Sequence, residues 1–229
     1  MQSCADILTV RQIAQALGDL NQDVVFVGGA VISLYVTDSG APEMRPTQDV
    51  DLFVEVTTQK DLETLRQKLV RRGFTQSPED DVICRFRFEG IYKVDVMSTK
   101  AVGWAPANPW FAPGKKDVET RIIEDQTIRV LSFPYFLASK FAAFHSRGSD
   151  ARTSKDFEDV VYLLDNREEA VSEILKTDAI VKEYLRTEFS EMSKNPSLQE
   201  AILSHLEPES QTSRYHRLQD LLTRCIQAI

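Results

Sequence analysis

Asp49 and Asp51 stand one residue apart in DVDLFVEV, and Asp95 stands between two valines in YKVDVMS. Alternate side chains of a strand share a face, so the first spacing sets two carboxylates side by side. Three carboxylates converging from neighbouring strands repel one another, and a cation relieves that repulsion. Hard divalent ions such as Mg2+ or Mn2+ take oxygen ligands, and a pair of them about 4 Å apart clamps the attacking and leaving oxygens of a phosphoryl transfer. Upstream, VVFVGG stops at Gly28 and Gly29. A Gly-Gly turn that opens a helix brings backbone N–H groups close to a phosphate, with the positive end of the helix dipole behind them. A D-x-D pair alone is commonplace on protein surfaces. Joined to the double glycine and to Asp95, it points to Asp49, Asp51 and Asp95 as metal ligands, with Gly28, Gly29 and Ser33 around the triphosphate of an NTP.

Definite elements must carry these residues. VVFV reads as a strand, and AVISLYVTD after the glycines reads as a helix. Between 49 and 56, Val50, Leu52, Val54 and Val56 alternate with Asp49, Asp51, Phe53 and Glu55, the period of a half-buried strand. Residues 57–73 have a threonine start, early acids, late Lys68, Arg71 and Arg72, and a Gly73 stop, which predicts a helix. Residues 82–98 predict two strands around a turn at Glu89 and Gly90, and 121–133 predict another hairpin. The stretch 105–116 reads as a loop, in which Trp110 and Phe111, with Trp104 just before it, are expected to pack more readily than to stack on a base. Residues 4–18 show helical spacing of Ile7, Val10, Ile13, Ala14 and Leu17. Beyond Pro134 the pattern is helical throughout, over 134–146, 152–165, 168–189 with a break near 176–178, 197–205 and 210–227. The expected fold class is α+β: a core over 1–132 with a mixed β-sheet flanked by helices, then an all-helical lobe over 133–229.

The 229-residue length suits one body with two lobes. A formal charge of −8 argues against nonspecific DNA binding, which needs a basic field. Residues 140–155 are locally basic, with Lys140, Arg147, Arg152 and Lys155 against Asp150. Cys4, Cys84 and Cys225 show no C-x-x-C spacing, so neither a disulfide framework nor a zinc site is indicated. No apolar run reaches 18 residues, and the expectation is a cytoplasmic protein without membrane attachment.

The succession of GG, a helix, a D-x-D strand and a later isolated aspartate resembles the nucleotidyltransferase superfamily typified by DNA polymerase beta. RPTQDVDL resembles the RxTxDhD block of the AbiEii/AbiGii toxin family within it. ASKFAAFHSRG is similar to that family's KhxAhxxR motif through Lys140, Ala143 and Arg147, and KDFEDV to its KDxxD motif through Lys155, Asp156 and Asp159. The resemblance covers roughly residues 24–165. It implies a nucleotidyltransferase core and metal-dependent transfer of NMP from an NTP to an acceptor hydroxyl, with Asp95 completing the metal site or serving as base. Lys140 and Arg147, two helical turns apart, would neutralise phosphate charge. Asp156 and Asp159 would hold those cations or act on the acceptor. RNA, including a tRNA acceptor end, is the implied acceptor, and a cognate antitoxin the implied partner. Two rivals keep the same fold: a noncatalytic nucleotide-binding protein, and a transferase acting on a small molecule or a protein.

Overall fold

A computed structural model describes residues 4–148 and 150–228, with side chains from Asp6 onward, so the Cys4 thiol lies outside the described residues. The chain divides into two compact units, Met1–Leu34 with Glu43–Ser132, and Tyr35–Pro42 with Phe133–Ile229.

The first unit is built on a seven-stranded mixed sheet. Its strands are β1 (Val24–Val27), β2 (Asp49–Val54), β3 (Phe74–Thr75), β4 (Arg85–Phe88), β5 (Tyr92–Ser98), β6 (Val118–Ile123) and β7 (Gln126–Leu131), in the order β3-β4-β5-β2-β1-β7-β6. Central β1 is buried at all four positions, as a strand covered on both faces must be. β2 runs antiparallel to β1 and parallel to β5, which sets Asp51 level with Asp95. β4 and β5 form a hairpin whose turn residues Glu89 and Gly90 both have positive φ, 51° and 73°. The loop between the paired Phe88 and Tyr92 has three residues, Glu89 to Ile91, and the Ile91 N–H donates to the Phe88 carbonyl at 3.3 Å, which closes a turn over the two left-handed residues.

Helix α1 (Cys4–Leu17) packs against β7 and buries Val10, Ile13, Ala14 and Leu17. In α2 (Gln59–Arg71) the Thr58 hydroxyl caps the N-terminus by accepting from the Asp61 N–H, and Leu62, Leu65 and Leu69 face inward. The 105–116 stretch contains one short helix, α3 (Phe111–Gly114). Phe111 stacks on Phe53 with ring centroids 4.3 Å apart, so the aromatic loop is part of the core.

Two sequence expectations change here. The segment after the glycines is a 3-10 helix, Gly29–Tyr35, and not a longer α-helix reaching Asp38. Ala30, Val31 and Ile32 are buried in succession, which leaves no solvent face for an amphipathic α-helix, and 3-10 winding serves such short pieces. The boundary near 132 is also not the only crossing, because Tyr35–Pro42 belongs with the helical unit. The N–H groups of Thr37 and Asp38 donate to the Asn166 carbonyl at 3.0 and 3.2 Å, and the Tyr162 hydroxyl donates to Pro42 O at 2.8 Å.

In the second unit the helices are α4 (Phe133–Arg147), α5 (Lys155–Asp165), α6 (Ala170–Lys176), α7 (Ala179–Lys194), α8 (Pro196–Ser204) and α9 (Gln211–Ala228). Ser154 caps α5 by accepting from the Phe157 N–H. Tyr35 stacks on Phe136 of α4 at 4.3 Å, and Arg167 donates to Tyr35 O at 2.6 Å. Arg214 and Arg217 of α9 both donate to Asp165, which ties the last helix to the end of α5.

Candidate active site

β2 begins with Asp49, so Asp49 and Asp51 leave the sheet from the end of the strand that lies beside the exit of β1. Val27 pairs with Asp51, and the chain turns at Gly28 with φ +75°. A Cβ on Gly28 would sit 1.9 Å from an Asp51 carboxylate oxygen, so the missing side chain is the space that Asp51 occupies. At Gly29 a Cβ would meet Thr47 Oγ1 at 3.3 Å. The glycine pair and the T-x-D-x-D segment are therefore two halves of one packing solution. Thr47 Oγ1 donates to Asp49 Oδ1 at 3.2 Å, and the Thr47 N–H donates to Asp6 Oδ2 at 3.3 Å. Burial raises the Asp6 pKa, opposed by the Thr47 N–H and by the charge of Arg45.

Arg85 supplies the positive charge that the three carboxylates call for, and sequence reasoning overlooked it. Its Nε donates to Asp95 Oδ1 at 2.8 Å and its Nη2 to Asp95 Oδ2 at 2.7 Å, while the same Nη2 donates to Asp49 Oδ2 at 2.9 Å. The β4–β5 register places Arg85 opposite Asp95. The sequence leaves this register one residue short: counting back from a Glu89–Gly90 turn pairs 88 with 91 and 85 with 94, and only the three-residue loop Glu89 to Ile91 pairs 88 with 92 and hence 85 with 95. The hydrogen bonds to Asp95 raise the Arg85 pKa further despite burial, so the guanidinium stays charged at any working pH. Next to it, burial and then the charge of Asp95 push the Cys84 thiol up to about 11, which keeps it protonated and a poor metal ligand.

A hard divalent ion needs oxygen donors, and Asp49 and Asp51 offer them from one strand face beside the Gly28 turn. Asp95 fits that role less well, since both of its oxygens accept from Arg85. Among the described residues no group of three or more His, Cys, Asp or Glu side chains is arranged to hold a metal. Ser33 Oγ is covered and lacks a hydrogen-bond partner among the described residues, so a phosphate would reach it only after the turn moves.

The remaining predicted residues belong to the second unit. Lys140 on α4, expected to neutralise phosphate charge with Asp156 and Asp159 to hold it or to act on the acceptor, is 7% exposed in its side chain and donates to Asp159 Oδ2 at 2.7 Å, with Asp156 at 3.9 Å. Its ammonium also lies 5.7 Å from the Phe136 ring centroid. Arg147 donates to Asp156 Oδ2 at 2.6 Å while its own side chain stays 66% exposed. The K-x6-R and D-x-x-D spacings thus interlock α4 and α5 through paired charges. Lys140 adds nothing to a surface basic patch, and Arg152 is paired with Asp150 and Glu200. His145 bonds to Glu188, and His205 to the Ala151 carbonyl, both structural contacts.

The family model described as nucleotidyl transferase AbiEii toxin, type IV TA system, matches residues 12–225. The chain belongs to this family. The AbiEii match takes in the carboxylate strands, the Lys140 and Asp156 cluster and nearly all of the helical unit, which the shorter motifs left unassigned. A solved structure, an antigenic nucleotidyltransferase-like protein from Paracoccidioides brasiliensis, is similar at a TM-score of 0.51 and 20% identity, over 93% of this chain and 99% of that one. That likeness shows a nucleotidyltransferase-like fold. No curated protein matches the chain. Among the described residues no helix is long and apolar enough to cross a membrane.

Proposed function

We propose that this AbiEii-family protein transfers a nucleoside monophosphate from an NTP to an acceptor hydroxyl on RNA and releases pyrophosphate. The observation that carries this reading is the fit of Asp51 into the space left by Gly28, which puts the D-x-D carboxylates against a glycine turn. Asp49 and Asp51 would hold a divalent ion, Mg2+ or Mn2+, which when bound supplies charge stabilisation to the phosphoryl oxygens. The Gly28–Gly29 turn offers backbone N–H groups to the triphosphate, with Ser33 next along the chain. The family resemblance extends roles to Lys140 and Arg147 in neutralising phosphate and to Asp156 toward the acceptor. Asp159 fixes Lys140 by its ion pair. Such catalysis is mostly positioning and electrostatics. The type IV toxin–antitoxin setting of the family extends the proposal to a cognate antitoxin as partner.

Pure protein with Mg2+, each labelled NTP in turn and total RNA tests the reading, beside an Asp49→Ala/Asp51→Ala control. Label entering a discrete RNA band with the intact aspartates alone is the expected result. NTP binding with no label transferred to RNA, protein or small-molecule pools, and no pyrophosphate released, would overturn it in favour of a binding protein.

A further inference from the structure

An open sheet ends in two edge strands, whose outer backbone groups no neighbouring strand satisfies. Here one edge is β3, with two residues and too short to guide another strand, whereas β6 at the other edge has six. The β6–β7 hairpin turns through Glu124 and Asp125, so the flanking pair Ile123 and Gln126 exchanges hydrogen bonds. Alternation then aims the N–H and C=O groups of Val118, Thr120 and Ile122 away from β7. Among the described residues one side chain touches those groups, that of Arg121, whose Nη1 donates to the Thr120 carbonyl at 3.4 Å. β6 has neither proline nor lysine to blunt it. One of its faces carries the β-branched Val118, Thr120 and Ile122, with Ile122 76% exposed. The other carries Glu119 and Arg121, paired with each other and partly exposed, beside buried Ile123.

We propose that β6 is the docking edge for a second copy of this chain. The two β6 strands run antiparallel about a two-fold axis at Thr120 and join two sheets into one. The stretch Val-Glu-Thr-Arg-Ile over 118–122 is complementary to its own reverse. With Thr120 opposite its own copy, Glu119 lies opposite Arg121 of the partner subunit, and Val118 opposite Ile122 of the partner subunit. Residues so opposed in a hydrogen-bonded pair sit about 5.5 Å apart, within reach of a carboxylate–guanidinium contact. Val118, Thr120 and Ile122 are also the residues with outward backbone groups, so this register forms about six interchain hydrogen bonds. The two nearest registers that bond the same groups centre on Glu119 or on Arg121. Each sets a charge directly against its own copy, which repels. Charge therefore selects the Thr120 register, and the complement that β6 needs lies in β6 itself.

Sedimentation equilibrium of the full chain, joined to amide hydrogen exchange followed by NMR, tests this. Expected in wild type is a monomer–dimer equilibrium, with exchange at the Val118, Thr120 and Ile122 N–H groups slowing at least about tenfold once the dimer dominates. Thr120→Pro removes an outward N–H that β7 does not use, so the variant should fold and stay monomeric. Arg121→Glu sets like charges across the axis and should weaken the dimer at least about tenfold. The exchange Glu119→Arg/Arg121→Glu restores the complement in reverse and should dimerise within about threefold of wild type. Thermal melting establishes that each variant folds, and should Thr120→Pro unfold, the two charge variants decide. A wild type that stays monomeric up to about 0.5 mM would leave the edge to a different chain and overturn the proposal. A dimer whose three amides exchange as in the monomer would overturn it too, since another surface would then be the interface. So would a dimer as tight in Arg121→Glu as in wild type, or a folded double exchange that remains monomeric.

Discussion

Gly28 is held by two demands at once, a φ of +75° and the Asp51 oxygen that would lie 1.9 Å from any Cβ. Gly28→Ala should therefore cost about 1–3 kcal/mol from the backbone alone and also push Asp51 aside. Urea unfolding and the transfer assay should both fall, while Gly29→Ala, which need only nudge Thr47, should do much less to either. Equal effects from the two substitutions would show that Asp51 does not depend on the turn. The thiols make a second prediction. Burial raises Cys84 and Cys225 to about 11 from an ordinary 9.0, so the folded state binds these protons more tightly than the unfolded chain. Their contribution to stability is full below pH 9.0 and is lost as pH rises toward about 11. Peptide mapping after iodoacetamide treatment should find both positions unlabelled in native protein at pH 8, and the urea midpoint should drop between pH 9.0 and about 11.

Between α4 and α5 the decisive contact is a buried ion pair, with Asp159 1% exposed and Lys140 7%. Removing one member strands the other, so Lys140→Met should destabilise by about 3–5 kcal/mol in urea unfolding. The double change Lys140→Met/Asp159→Leu should recover most of that loss while leaving nucleotide transfer abolished. Arg147→Ala should cost less than about 1 kcal/mol, because that side chain is largely in water. Strands and helices were legible in the sequence wherever one period ruled: the alternation of 49–54, the capped 59–71 helix, and the Glu89–Gly90 turn all appear with near-final bounds. The convergence of Asp49, Asp51 and Asp95 was legible for the same reason. Arg85 was missed because attention to one strand's pattern says nothing of its neighbour until the hairpin register is known, and a two-residue turn counts that register one residue out. The ion pairing of Lys140 was within reach of the K-x6-R and D-x-x-D spacings, but its 7% exposure was not, because helical spacing gives the direction of a side chain and not what covers it.

Across the whole molecule, the segment 35–42 shows most clearly what pattern reading misses, since nothing local marks a strand-unit loop as a piece of another core. Tyr35 is fully buried, stacked on Phe136, and its carbonyl accepts from Arg167. Tyr35→Ala should cost about 3–5 kcal/mol, and the loss should appear as faster hydrogen exchange in α4 and α6. Unchanged exchange there would mean the segment is not integral to the helical unit. The same segment also ties folding to the pace of the ribosome. Thr37 and Asp38 find their carbonyl partner only at Asn166, about 130 residues later. At ~5–20 residues per second that is a wait of about 6 to 26 s. Tyr35 meets its ring partner once Phe136 has been made, but Thr37 and Asp38 stay unpaired until about three quarters of the chain exists, and chaperones that grip exposed segments have that long to act on the nascent toxin-family chain before its helical unit can close.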